Sequence, residues 1–508
     1  MRFKITSATQ FKLYLLGDAL MFSGVYGIFT LISSIHIEDG IGSTSLAISY
    51  STSFFTSLIV PLLAKKFGAR SLFLVGTLCY LLFVAGNAYT THITMILAGI
   101  FYSFGNCLVW PMASLFNVHF AKMQSQENRS NTFADIRKRY FGYYYSVFSI
   151  SEVVGNAVMY GILSADRNML SNTDDMGNVT LSGVDKSYCG ANDCQLEHIT
   201  ESNKQQYAPV NVSTQYVVTG TCCSFVLAAF IIFYIAVPTG VGKTKRKSTN
   251  DQAINPFIEK SDDEGEQNNN VVLQLLNSLS ELFLMIVSYK HFIIILLSIY
   301  TGLTFAFVHT EMSRAFASCI LGLNHVSLCF VVFASMFLFS SSIFSRIAGR
   351  FGRNIPFTIA YVSDMFLFMF CLYADPANMK HLTVYALFLG FGFTQGIWMP
   401  LINELYTDYF KDQKETAVAV YQLMFSLGNL LVFAFSTALC VHVKMYVLIF
   451  VLSSGLLIYT AGSFLFFRFS NRSDPEETKT VVDENQNITV IGKQEAYDPV
   501  PMQDLQPR

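Results

Sequence analysis

Three carboxylates stand inside long apolar runs of the sequence: Asp18, Glu152 and Asp364. A charged side chain at the centre of a bilayer costs about 2.5–3.5 kcal/mol on insertion scales, so each is a functional candidate by default. None has a cation within its own run. The chemistry open to such groups is the binding of a proton or small cation, the lining of a polar cavity, or contact with a partner subunit. The alternative is that each is protonated, or hydrogen-bonded to a Ser, Thr or Tyr on a neighbour. His309, Glu311 and Arg314 cluster near the outer end of a later apolar run, where exposure to water predicts a role at a helix end. No catalytic constellation accompanies these groups. The sequence has no Walker-type glycine loop, no Cys/His set at zinc spacing, no His-Glu-x-x-His and no nucleophile elbow. The reading is of a non-enzyme that needs no cofactor and no metal.

The elements that must position these residues follow from composition. The 508 residues are 52% hydrophobic, 15% aromatic and only 13% charged, too few charges for the surface of a soluble protein of this size. A helix needs about 20 apolar residues to cross roughly 30 Å of hydrocarbon. Runs of that length predict spans at 11–33, 45–63, 71–89, 94–116, 140–163 and 214–237, then at 290–309, 325–345, 355–373, 382–402, 416–437 and 443–468. The expected fold class is an all-α membrane protein of twelve transmembrane helices in two six-helix halves. Lys and Arg gather on one side, at Arg2 and Lys4, Lys65 to Arg70, Lys122 to Arg139, Lys243 to Lys247, Arg346 to Arg353, and Lys411 and Lys414. The positive-inside rule then places both termini in the cytosol. The first run lacks a signal-peptide cleavage pattern and is expected to remain as a helix. The net charge of −2 gives no sign of a nucleic-acid partner; the bilayer is the partner the composition requires.

The expected layout is a cytosolic N-terminus at 1–10, a first half at 11–237, a linker at 238–288, a second half at 289–468 and a disordered cytosolic tail at 469–508. The long outer loop, 164–213, carries glycosylation sequons at Asn178 and Asn211. Sequons at Asn128, Asn471 and Asn487 fall on the cytosolic side and are expected to stay bare. The same loop holds Cys189 and Cys194, which would either pair with each other on an oxidising side or remain two free thiols. Within the linker, Val272, Leu275, Leu276, Leu279, Leu282, Phe283 and Ile286 fall at helical spacing. They predict an amphipathic helix on the inner surface or a continuation of the seventh span. Asn255-Pro256-Phe257 matches an endocytic adaptor tripeptide, Tyr497 to Val500 fits a tyrosine-based sorting signal, and Ser261 precedes an acidic run suited to phosphorylation.

Two devices occur twice. Lys66, Gly68 and Arg70 follow the second span, and Arg350, Gly352 and Arg353 follow the eighth. In each, glycine permits the tight turn while cations hold it at the inner face. This pair resembles the loop signature of the major facilitator superfamily, repeated at equivalent places in both halves. The second device is an apolar helix that ends at Trp398 and Pro400 and gives way to a polar turn and a new helix near Ala417. Earlier, Gly105 leads to Trp110 and Pro111, with a basic loop and a new helix near Tyr140. Trp398, Ile402, Asn403, Leu405, Tyr406, Phe410, Glu415, Ala419 and Tyr421 together look like one branch of that superfamily, the uncoordinated-ninety-three family of ion channel regulatory proteins. Trp110 and Gly155-Asn156, echoed by Gly428-Asn429, extend the resemblance to the first half. Departures are Ala113, where the family tends to have Gln, and Met399-Pro400-Leu401 in place of polar residues. The resemblance implies a non-enzymatic regulatory subunit of a potassium channel. Residence in the plasma membrane is expected, and the two sorting motifs point to endosomal cycling through adaptors. Two other readings stay open: a secondary transporter of a small solute or ion, and an escort for other membrane proteins.

Overall fold

The computed structural model describes residues 7–35, 40–127, 133–173, 186–194, 212–238, 241, 280–410, 413–436 and 438–473. Among them the long elements are all helices. The first six are α1 (Ser7–Phe29), α2 (Ile41–Phe67), α3 (Ala69–Gly86), α4 (His92–Glu127), α5 (Phe133–Thr173) and α6 (Val212–Ala236). The second six are α7 (Tyr289–Phe307), α8 (Leu323–Phe351), α9 (Asn354–Tyr373), α10 (His381–Tyr409), α11 (Lys414–Ala434) and α12 (Val441–Ser473). Among the described residues eleven helices are long and apolar enough to cross a membrane. With α2, whose 27 residues give roughly 40 Å of helix, the protein is a multi-pass bundle of twelve.

In the first half α1 packs on α5 and α6, and α4 on α2 and α3. In the second, α7 packs on α11, and α10 on α8 and α9. The halves meet where α5 lies along α8 and α2 along α11. The chain divides into two compact units: Met1–Leu456 holds everything up to the first part of α12, and Leu457–Arg508 holds the remainder of that helix. Large aromatics fill the interior of each half, Tyr14, Phe22, Phe73 and Phe116 in one, Tyr300, Trp398 and Tyr406 in the other. Phe55, Leu82, Ile93, Phe366 and Phe450 face outward, as hydrocarbon surroundings require.

Glycine sets the closest approaches. A Cβ on Gly155 of α5 would collide with the Ser23 carbonyl of α1, and one on Gly302 of α7 with the Phe425 carbonyl of α11. Small residues let membrane helices approach backbone to backbone, where dispersion contacts replace the missing hydrophobic drive. The turns after α2 and α8 also match. Gly68 and Gly352 both adopt φ 81°, open to glycine at little cost, and their amides close onto Ala64 and Ala348. This end of the bundle is called the basic face below, and the end carrying residues 186–194 the loop face.

The structure corrects the sequence reading at both Trp-Pro sites. Neither proline ends its helix: α4 runs through Pro111 to Glu127, and α10 through Pro400 to Tyr409. An interior proline removes one backbone hydrogen bond, and packing against neighbouring helices makes that tolerable in a membrane bundle. Helix α5 accordingly begins at Phe133 rather than near Tyr140 and continues to Thr173. Of the amphipathic stretch 272–286, residues 280–286 lie within the described part and are helical. They are no simple continuation of α7: Ser288 breaks the helix with ψ 144° and caps α7 by accepting from the His291 amide.

Candidate functional site

The three intramembrane carboxylates occupy three different settings. Asp18 is fully buried in the first half, within reach of the fields of Tyr14, Tyr80 and Tyr144, and neither carboxylate oxygen has a hydrogen-bond partner among the described residues. Asp364 is fully buried in the second half. Its Oδ2 accepts from the Tyr300 hydroxyl and from Trp398 Nε1, each at 2.7 Å. Glu152 lies at the joint of the halves, its Oε1 3.9 Å from His309 Nε2.

His309, Glu311 and Arg314 are not exposed at a helix end. All three are buried within a π-helical stretch, Val308–Ser318, that prolongs α7; such wide turns recur at functional sites. Glu311 Oε1 accepts from Lys444 Nζ and Ser436 Oγ at 2.7 Å each. Its Oε2 accepts from Arg314 at 2.7 Å, and Arg314 also lies 3.5 Å from Asp193. The two anions and two cations named here balance one another, the condition under which burial of ions is tolerable. Asp193, Ser436 and Lys444 were not singled out from the sequence. The signal that could have found Lys444 is a lone cation at the head of an apolar run, opposite in sign to Glu311.

The cysteines also pair otherwise than expected. Cys189 joins Cys319 just beyond the π-helical stretch, and Cys194 joins Cys440 just before α12. The physical reason is how the segment between them docks. Two short 3-10 turns, Lys186–Tyr188 and Gly190–Asn192, lay it across the second half, with Gly190 at φ 66° against Phe316 and Pro376. The Val441 amide donates to the Asp193 carbonyl at 3.0 Å, and His442 Nδ1 donates to the Ala191 carbonyl at 3.2 Å. Each cysteine thereby faces a cysteine of the second half. A loop that belongs to the first half in sequence is bonded to the second in space.

Beneath this strap the halves touch directly. Ser33 Oγ donates to the His309 carbonyl at 3.0 Å, Ser34 and Ser313 share a hydrogen bond of 2.9 Å, and Ser313 donates to the Thr30 carbonyl at 3.3 Å. Tyr50 of α2 stacks on Phe433 of α11 at 5.4 Å.

The remaining candidates are dispersed. Asn156 accepts from Thr30 at 2.7 Å and donates to the Glu152 carbonyl. Trp110 is half-buried among Phe22, Tyr144, Tyr145 and Phe148. Tyr406 accepts from Ser298 at 2.9 Å and lies 3.2 Å from His291 Nδ1, and the Tyr421 ring lies tilted beside it at 5.7 Å. Ile402 is buried and Asn403 half-buried on α10. At the basic face, Arg70 donates to the Tyr234 carbonyl at 2.6 Å, and Arg353 pairs with Asp408 and Glu404; Lys66 and Arg350 are exposed. Asn178, Asn211, Asn255, Pro256, Phe257, Tyr497, Val500 and the side chain of Glu415 lie outside the described residues.

Comparison with known proteins agrees with this architecture. Residues 210–433 match the family model of the Major Facilitator Superfamily. The chain is 25% identical to human Protein unc-93 homolog A, over 87% of this chain and 90% of that one. It is 23% identical to the Caenorhabditis elegans protein unc-93, named for potassium channel regulation, over 90% of this chain and 61% of the relative. Among solved structures, the nucleoside transporter NupG superposes with a TM-score of 0.56 at 12% identity, covering 90% of this chain and all of that one. A D-xylose-proton symporter does so at 0.55, also at 12% identity, covering 88% of this chain and 96% of its own. At such identity these two speak for the fold alone. Paired glycine turns, two six-helix halves and these matches lead to one assignment: the chain has the fold of the major facilitator superfamily and is similar to the unc-93 proteins along most of its own length.

Proposed function

We propose that the protein is a regulatory subunit of a potassium channel, working as a fixed membrane scaffold rather than as a solute carrier. The observation that carries this reading is the fastening of the loop face. A carrier that rocks its halves about a central site must part them at that face in one of its states. Here the parting would break the Ser33, Ser34 and Ser313 hydrogen bonds and the Tyr50–Phe433 stack beneath a strap bonded twice to the second half. The name of the Caenorhabditis elegans relative supports the same reading. A loop face that faces out of the cell fits the disulfides, which persist in oxidising surroundings, and leaves both termini in the cytosol. Residence at the plasma membrane, glycans on Asn178 and Asn211, and cycling through the Asn255-Pro256-Phe257 and Tyr497–Val500 motifs complete the proposal.

The test is co-expression with two-pore potassium channels, reading current and surface level. A change in current for at least one channel, with no solute flux in vesicles reconstituted with this protein alone, is expected. Unchanged currents across the set, or a flux abolished by Glu152→Gln, would sink the reading. Glycosidase treatment should change gel mobility only through Asn178 and Asn211; a shift lost in Asn487→Gln would reverse the topology.

A further inference from the structure

The geometry points to a binding site for an organic cation, an ammonium group on an apolar body, among aromatic rings where the halves meet, with Glu152 as its counter-charge. Within residues 21–34 of the first half every residue is buried but Tyr26, and within residues 300–323 of the second every residue is buried but Phe305. Both rings neighbour one side chain at the joint: the Phe29 ring lies 5.8 Å from Tyr26 and 6.3 Å from Phe305. From Tyr26 the accessible rings continue to Phe148 at 5.4 Å and from there to Trp110 at 5.0 Å. Tyr145, 48% exposed, stacks on Trp110 at 6.4 Å. From Phe305 they continue to the half-buried Phe425 at 5.5 Å. Tyr421 of α11, whose ring lies 6.3 Å from Phe425, is within reach of the field of Tyr145, so the rows from the two halves face one another.

The rings close at one end. Toward the loop face Phe29, Phe330 and Phe333 are buried, and Ser33, Ser34 and Ser313 bind the halves together. Exposure rises toward the basic face, from the half-buried Tyr26 and Phe148 to the exposed Tyr145. Glu152 stands at the closed end, one turn beyond Phe148 on the same face of α5, and within reach of the field of Tyr26. Its side chain is 10% exposed, and its Oε1 has no hydrogen-bond partner among the described residues. His309 Nε2, at 3.9 Å, is beyond hydrogen-bond length.

That chemistry selects a ligand class. The faces of aromatic rings carry partial negative charge and attract cations, ammonium groups above all. An anion would be repelled by those faces and by Glu152. An uncharged apolar guest would leave the carboxylate without a partner, the costly case for a buried polar group. A bare metal ion would need several oxygen ligands, and Glu152 is the one carboxylate among these rings. An ammonium on an apolar body meets both demands: its charge faces Glu152, and its hydrocarbon lies against Tyr26, Phe148, Trp110 and Phe305.

The site goes beyond the channel reading and does not depend on it, since binding requires neither transport nor a partner. Its test uses the full chain in maltoside micelles, which carry no ammonium headgroup, with choline as the cation and dimethylbutanol, its uncharged carbon isostere, as the control. Tryptophan fluorescence reports binding, because Trp110 lines the site while Trp398 is fully enclosed. Choline should change the emission saturably, dimethylbutanol should not, and Trp110→Phe should remove the response. Glu152→Gln should weaken choline binding about tenfold or more, the scale of an interaction with a charged group. Tyr145→Leu should weaken it about fivefold, the scale of one cation–π contact. Because Tyr145 is exposed, its variant keeps the test decisive should Glu152→Gln fail to fold. No saturable response to choline, an equal response to dimethylbutanol, or choline binding unchanged in either variant overturns the proposal. The channel reading is judged by currents and would survive that failure.

Discussion

In the second half Asp364 meets two donors, Tyr300 and Trp398, and the Trp398 ring is fully enclosed. In the first half Asp18 meets none, and Trp110, midway along the corresponding fourth helix, is only half-buried among aromatic rings. Both halves share the glycine turns and the close glycine contacts between their first and fifth helices. They differ in how the carboxylate is treated. The halves share the backbone devices that any such half needs to pack and differ in their polar interiors. Asp364 is anchored through Oδ2, although its Oδ1 has no partner among the described residues, whereas Asp18 is anchored through neither oxygen.

Substitutions can break or sharpen that contrast. The largest effect is expected where the halves agree. Gly155→Val and Gly302→Val drive a side chain into a backbone carbonyl, costing about 3 kcal/mol or more, and should abolish monodisperse protein in size-exclusion chromatography. Gly220→Val, with nothing within 4 Å of its Cβ position, should not. Next, Asp364→Ala strands the Tyr300 hydroxyl and the Trp398 indole and should lower stability by about 3 kcal/mol, since each orphaned donor costs about 1–3 kcal/mol. Trp398→Phe should cost about 2 kcal/mol and Trp110→Phe less than about 1 kcal/mol, because only the first loses a buried hydrogen bond. The smallest change is expected of Asp18→Asn, within about 0.5 kcal/mol, as no bond to Asp18 is lost. Thermal or denaturant unfolding of the purified chain checks the last three. Equal losses for Asp364→Ala and Asp18→Asn would erase the distinction.

Much of the fold was legible because it rests on local signals. Span length, Lys and Arg placement, and the Gly68 and Gly352 turns can each be read within about 20 residues. Trp-Pro punctuation misled because a proline's meaning depends on neighbours: in water Pro111 and Pro400 would end a helix, whereas a packed bundle carries them through. Asp18, Glu152 and Asp364 stood out as costly residues, yet what faces Glu152 and Asp364 comes from elsewhere in the chain, and Asp18 has no hydrogen-bond partner among the described residues. Trp398 lies 34 positions from Asp364 and Lys444 lies 133 from Glu311. The cysteines show the same limit. Nearness in sequence favoured Cys189 with Cys194, whereas docking of the strap paired them across 130 and 246 residues.

The claim on which the account rests is that the halves are joined covalently at the loop face. It is tested by placing a protease site in the linker between residues 242 and 279, cleaving the purified protein and resolving it on a denaturing gel. Two bonds across the halves, Cys189–Cys319 and Cys194–Cys440, predict one band of full mass without reductant and two fragments with it. Single replacements of Cys319 or Cys440 should leave the band intact, and the double replacement should release the fragments. Two fragments from the unreduced wild type would contradict the account.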